Sequence, residues 1–143
     1  MRRSLPGNGL RRSLDLFAAF RVEQTDPDRF YSLLARDTVR QLSRYLELDG
    51  TRIVDVGGGP GYFAEEFRAA GARYAGIDPD AGELTARGKA PAGFLRASGL
   101  ALPLADACLD VVMSSNVLEH VPEPEVMAAE MLRDGGLVAL PTD

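Results

Sequence analysis

The sequence is poor in the residues that build covalent or metal frameworks. Its one cysteine, Cys108, leaves no partner for an intramolecular disulfide and fits a reducing compartment. Its one histidine, His120, argues against a zinc site of the common Cys/His kinds, and no metal is expected. Lysine is almost missing: of 16 basic residues only Lys89 is not arginine, which reads as coding bias rather than as a phosphate site. The formal net charge of -5 gives no electrostatic reason to expect nucleic acid as a partner. No apolar run approaches the ~20 residues of a membrane span, so no transmembrane segment is expected. The basic start, Arg2, Arg3, Arg11 and Arg12, is interrupted by Pro6, Gly7, Asn8 and Gly9 and lacks the apolar core of a signal peptide. A cytoplasmic location is the expectation.

What is present suits a single domain: 143 residues, 45% of them hydrophobic and 26% charged. Residues 1–25 read as a basic tail of about a dozen residues, followed by a short helix whose apolar residues Leu14, Leu16, Phe17 and Phe20 dock on the domain. The domain proper is 26–143. Asp26-Pro27 signals a helix start, with Asp as N-cap and Pro in the first turn. Phe30, Leu34, Thr38, Leu42 and Tyr45 recur at steps of three or four, predicting one buried face and a helix to about residue 46.

Beyond Gly50 the rhythm becomes short β-rich runs separated by helical segments. Strands are predicted at 52–56, 74–77, 93–96, 109–114 and 136–140, with helices at 62–70, 81–88 and 124–132. This alternation predicts an α/β fold, a parallel sheet with helices on both faces. In such sheets ligands bind beyond the carboxyl ends of the strands, where the strand order reverses. The loop at that point is Asp55-Val56-Gly57-Gly58-Gly59-Pro60-Gly61. Glycines there permit positive φ and close ligand approach, and the next helix offers free N–H groups.

Two ligand classes use such a loop, dinucleotides and adenosyl cofactors. From Asp55 it reads Asp-x-Gly-x-Gly-x-Gly; from Gly59 to Ala64 it reads Gly-x-Gly-x-x-Ala, a loose dinucleotide fingerprint. Asp78 stands 19 residues after Gly59, near the ~20 expected for a ribose-binding acid. The loop and one acid do not separate the two. Three further features favour the adenosyl cofactor. Asp55 lies inside a strand, where a buried carboxylate needs a partner such as a cationic ligand. Pro60 has no N–H where a pyrophosphate turn would want one. The third is the block at 100–121, LALPLADACLDVVMSSNVLEHV.

That block closely resembles the region after the third strand, and the fourth strand itself, in class I S-adenosylmethionine-dependent methyltransferases of the small-molecule type. There an "ALPF-D-FD" stretch leads into a strand ending in "S-x-x-LEH", and residues 48–140 follow the pattern throughout. The resemblance implies a Rossmann-like sheet with S-adenosyl-L-methionine as cofactor. It implies that Asp55, Gly57, Gly59 and Gly61 wrap the methionine part, that Asp78 binds both ribose hydroxyls, and that the turn through Pro79 and Asp80 packs on adenine. Ser98 and Gly99 fall where the family has an Asp that receives the adenine amino group, so this contact departs from the pattern. Asn116 and Val117 line the methyl-transfer end. His120 is a candidate general base, although such a histidine more often packs or caps; Glu119 and Cys108 are read as solvated and buried, and the Phe30–Tyr31 pair, which could reach the cofactor mouth, is read as core.

The implied reaction is methyl transfer to a small-molecule acceptor. The alternatives are a non-catalytic cofactor-binding module and an NAD-dependent oxidoreductase domain. Relative to the family pattern the strands expected after the fifth are absent from this sequence, and the connection Met131-Leu132-Arg133-Asp134-Gly135-Gly136 is shorter than the family's "LR-x-x-x-PGG". An uncovered edge strand would favour a homodimer.

Overall fold

A computed structural model describes residues 9–20, 23 and 25–139. The elements run in the order α1 (Gly9–Phe20), α2 (Pro27–Leu42), β1 (Arg52–Val56), α3 (Ala64–Ala69), β2 (Arg73–Asp78), α4 (Ala81–Leu84), β3 (Phe94–Arg96), β4 (Leu109–Met113), a 3-10 turn (Leu118–His120), α5 (Pro124–Asp134) and β5 (Gly135–Ala139). The five strands form one parallel sheet in the order β3-β2-β1-β4-β5. The chain first travels outward from β1 to β3, then returns to β1's other side with β4. β1 is therefore central, and the reversal of strand order falls at its carboxyl end.

The two-residue period of β1 divides the core. Ile53 packs on one face with Phe30, Leu34, Phe67 and Tyr74, beneath α2 and α3. Val54 and Val56 pack on the other with Ile77, Val112, Met127 and Met131, beneath α5. Asp55 follows Ile53 by two, so alternation turns its carboxylate toward the Tyr74 face. A strand buried on both sides reads as the near-continuous apolar run seen at 53–56, and a charged residue within it stands out for that reason.

Helix boundaries are where the structure differs from the sequence reading. The Asp26 side chain accepts the Arg29 N–H at 3.1 Å and caps α2 as its residue type predicts. The helix stops at Leu42 rather than near residue 46. Arg44 and Tyr45 donate to Gln41 and Leu42, three residues back, which tightens the last turn. Tyr45 is 80% exposed and does not continue the buried stripe. Tyr62 lies in the glycine turn rather than in α3, and α4 is a single turn. In α1, the helix starts at Gly9, inside the stretch read as a tail; Leu14 and Phe17 are exposed, and the tie to α2 is an Arg12–Asp37 ion pair at 2.7 Å. Val22 and Leu140, assigned to a helix and a strand from sequence, lie outside the described residues, as do residues 1–8.

The shortened connection after Met131 has a direct structural form: α5 runs to Asp134 and β5 begins at Gly135, with no loop between them. Asp134 is wholly buried there, against the Arg133 guanidinium at 2.7 Å. Burial pushes its carboxyl above the usual range. Arg133 also donates to the carbonyls of Leu102 and Leu104, and to Asp106 at 2.7 Å, while Glu130 accepts the Leu102 N–H at 2.8 Å. This network fastens residues 102–106 to α5, the helix that covers one face of the sheet.

Candidate functional site

A cleft of about 210 Å³ opens at the carboxyl ends of β1, β2 and β4. Tyr31, Asp55, residues 57–60, Tyr62, Phe63, Asp78, Glu83 and residues 115–117 line it. The glycine loop forms its floor. Gly57 and Gly58 donate their N–H groups to the Ile77 carbonyl at 2.7 and 3.2 Å, which ties the loop to the end of β2. Gly57 has φ +79, and a Cβ placed there would run into the Val117 side chain. Gly59 has φ +51, and a Cβ there would meet only the Glu83 carboxylate at 3.9 Å, so this glycine leaves the cleft open. We expect Gly57→Ala to lower stability by about 1–3 kcal/mol through strain and overlap. It should also displace Val117 and so alter the cleft wall. Thermal unfolding and ligand titration of that variant check both effects.

Asp78 ends β2 and is buried. Its Oδ2 accepts the Gly59 N–H at 3.0 Å and its Oδ1 accepts the Asp80 N–H at 2.9 Å. Each oxygen retains a lone pair for a further donor. Asp78 thus both shapes the glycine loop and offers a bidentate acceptor. Asp80 is engaged elsewhere, capping α4 through the Gly82 and Glu83 N–H groups.

Asp55 is buried at 2% exposure and has a partner within the chain: the Tyr74 hydroxyl donates to Oδ2. Burial raises its pKa to about 7; the Tyr74 hydrogen bond acts the other way, and the nearby Asp78 charge adds to the rise. The Tyr74 hydroxyl is in turn driven well above its ordinary range, by burial first and then by the Asp55 charge. Tyr74 escaped the sequence reading. Its signal lies in the pairing register: Tyr74 sits opposite Ile53 in β1, two residues from Asp55 on the same face.

On the β4 side, Ser114 Oγ donates to the Val56 carbonyl at 2.8 Å and holds the two strand ends together. Asn116 follows with φ +54, a left-handed conformation that asparagine tolerates. It turns the chain so that Val117 meets Gly57. Of the residues named from sequence, the cleft brings together Asp55, Gly57, Gly59, Asp78, Asn116 and Val117. Gly61, Pro79, Ser98, Gly99 and His120 do not line it. Ser98 Oγ accepts the Leu100 N–H at 3.1 Å, and Gly99 sits against Val56 and Met127. The His120 side chain is 77% exposed beside Glu119. Tyr31, expected in the core, lines the cleft instead, while its neighbour Phe30 is core. Tyr62, Glu83 and Ser115 are further lining residues not anticipated. Among the described residues no group of three or more His, Cys, Asp or Glu is placed to hold a metal ion, and no helix is long and apolar enough to cross a membrane.

A central strand ending in a glycine turn, with an acid at the end of its neighbour, defines a Rossmann-like ligand-binding domain. The chain belongs to the methyltransferase domain family, whose model matches residues 54–140. It is 52% identical over 144 residues to an "uncharacterized methyltransferase" of Mycobacterium ulcerans, an alignment covering 92% of this chain and 56% of that protein. A counterpart in Mycobacteroides abscessus is 50% identical, with 92% and 57% covered. The chain thus spans about half the length of the curated relatives it matches. Among solved structures, an S-adenosylmethionine-dependent methyltransferase of Mesorhizobium loti is 29% identical, with a TM-score of 0.55 over 70% of this chain and 51% of that one. The magnesium protoporphyrin IX methyltransferase of Synechocystis, solved with bound S-adenosylmethionine, shares the fold with a TM-score of 0.61 at 22% identity, covering 97% and 77%.

Proposed function

We propose that the cleft binds S-adenosyl-L-methionine and that the chain supplies the cofactor half of a cytoplasmic methyl transfer to a small-molecule acceptor. The observation that carries this is the charge of the cleft. Asp55, Asp78 and Glu83 line it and, among the described residues, no lysine, arginine or histidine does. A dinucleotide would bring an anionic pyrophosphate against the Asp78 and Glu83 carboxylates, beside an Asp55 that is partly ionised near neutral pH, and onto Pro60, which has no N–H to offer. A sulfonium cation is complementary to the same surface. The family membership and the relatives support the same reading.

The residues present fit the cofactor. Asp78 keeps acceptor capacity for ribose hydroxyls, Gly59 leaves room for the ligand to lie on the loop, and Asp55 faces the cleft with a carboxylate that gains from a nearby cation. When bound, the cofactor supplies a methyl group on a sulfonium that is its own leaving group. The chain's task is then to hold, orient and exclude water. Asp55 and the glycine loop hold the methionine end, Asp78 the ribose, and Asn116 with Val117 border the transfer end. The family resemblance assigns Pro79, Ser98 and Gly99 to the adenine end and Gly61 to the glycine turn; none of the four lines the cleft. His120, the candidate general base, is assigned no step in this reading: its side chain is exposed beside Glu119.

Calorimetric titration with S-adenosylmethionine, S-adenosylhomocysteine and NAD tests the reading. Adenosyl ligands should bind and NAD should not; NAD binding alone would overturn it. Binding of adenosyl ligands with no transfer to any acceptor would favour a non-catalytic binding module. The fold alone does not require methyl transfer, since it is shared at 25% identity and a TM-score of 0.58 with a [4+2]-cyclase, SpnF.

A further inference from the structure

At the mouth of the cleft, four side chains from three segments close a ring of contacts. Tyr31 on α2 stacks on Tyr62 of the glycine turn, with centroids 4.4 Å apart and planes within 15°. Arg87, three residues past α4, holds its guanidinium over the Tyr62 ring, 5.1 Å from the centroid. The same guanidinium pairs at 3.3 Å with Asp28. Asp28 lies three residues before Tyr31, and so shares its face of α2. The ring therefore runs from α2 to the glycine turn, on to the segment after α4, and back to α2. Both tyrosines line the cleft. Asp28 and Arg87 are 63% and 45% exposed, so neither is part of the core.

Each of these links is weak alone. An exposed ion pair is screened by salt, and a cation over an exposed ring contributes modestly. Joined in a ring, they hold one another in place, because the guanidinium that pairs with Asp28 is the one seated on Tyr62. A fastening of this strength suits a contact that must open and close repeatedly, as covers of ligand sites do.

We propose that Arg87 is a positioning residue that latches the first turns of α2 across the cleft, so that ligand leaves only when the Asp28–Arg87–Tyr62–Tyr31 ring opens. This rests on the cleft being the adenosyl site, and the test separates the two. Stopped-flow dissociation of S-adenosylhomocysteine should be about tenfold faster from Arg87→Ala than from the unaltered protein. Asp28→Asn should show a smaller increase, and the double variant should be no faster than Arg87→Ala. Arg87→Lys should recover part of the loss, since it keeps the ion pair but not the flat cover on Tyr62. Raising salt should speed release from the unaltered protein and leave Arg87→Ala unchanged, a response that a loss of general stability would not produce.

Hydrogen exchange without ligand gives the second arm. Amides at 28–31 and 57–59 should exchange faster in Arg87→Ala, while β1 amides and the melting temperature stay as they were. Unchanged exchange at 28–31 overturns the latch whatever the cleft binds, and so does a dissociation rate within twofold of the original. Failure of S-adenosylhomocysteine to bind the unaltered protein counts against the adenosyl reading instead, and the exchange measurement then decides the latch alone.

Discussion

Asp55→Asn should make the ligand-free protein more stable at pH 8 and, at the same time, a worse binder of the cationic cofactor. Burial lifts the Asp55 pKa to about 7 in the folded chain, against roughly 3.9 when unfolded. Between those values the folded state holds a proton that the unfolded state has lost. Stability from this group is therefore complete below about pH 4 and declines as pH rises toward 7. Such a rise corresponds to a ceiling of roughly 4 kcal/mol at alkaline pH. Asparagine keeps an acceptor for the Tyr74 hydroxyl and carries no charge, so the decline from this group should vanish. Melting curves from pH 5 to pH 8 check this: the original should lose stability across the range, and the variant should lose much less. An equal slope in both would show that Asp55 does not titrate there.

The same group predicts a proton linked to binding. A sulfonium near Asp55 favours its ionised form, so binding of S-adenosylmethionine near pH 6.5 should release a proton. Affinity should then rise with pH up to about 7 and level off. Calorimetry in two buffers of different ionisation enthalpy measures the released proton, and Asp55→Asn should release none. The buried carboxylate that costs the free protein stability would then be the one proposed to recognise the ligand, an opposition between stability and function.

Asp78→Ala should weaken adenosyl-ligand binding by about 100-fold, the loss of two hydrogen bonds to a charged acceptor. Its effect should not be confined to the ligand. The Gly59 and Asp80 N–H groups both donate to this carboxylate, and alanine leaves them unpartnered at a cost of about 1–3 kcal/mol each. The glycine loop should loosen as a result. Asp78→Asn separates the roles, because its carbonyl oxygen can still accept the Gly59 N–H while the ribose loses a bidentate acceptor. The asparagine NH2 then faces the Asp80 N–H, so we expect Asp78→Asn to melt below the original but above Asp78→Ala, and to bind S-adenosylhomocysteine at least tenfold more weakly. Unchanged affinity in both variants would mean that the ribose contact lies elsewhere.

Strand positions were legible from sequence to within a residue or so, because strands buried on both faces are continuous apolar runs bounded by turn residues. Helix ends were less so. The apolar spacing that predicts α2 continues to Tyr45, yet the helix closes at Leu42 through backbone bonds that leave no mark in composition. Glycine spacing located the loop without separating its two ligand classes; Asp55, Pro60 and the block at 100–121 favoured the adenosyl cofactor, and the carboxylates of the cleft support that reading.

Asp55 shows where the division falls. That a carboxylate sits inside the first strand, two residues before a glycine turn, and must have a partner there, is determined by the sequence alone, since the strand is apolar on both sides. Which partner is decided by tertiary structure. The expected partner was the cofactor; in the fold the Tyr74 hydroxyl already meets it, because parallel pairing brings β2 beside β1 in a register that sequence spacing does not specify. The same holds for the rest of the site. Local pattern determines which residues can turn, cap or be buried, for those depend on a residue and its near neighbours. Only tertiary packing places Tyr31 at the cleft, leaves the His120 side chain exposed and gathers three carboxylates with, among the described residues, no basic side chain in the lining, for these depend on segments far apart in the chain.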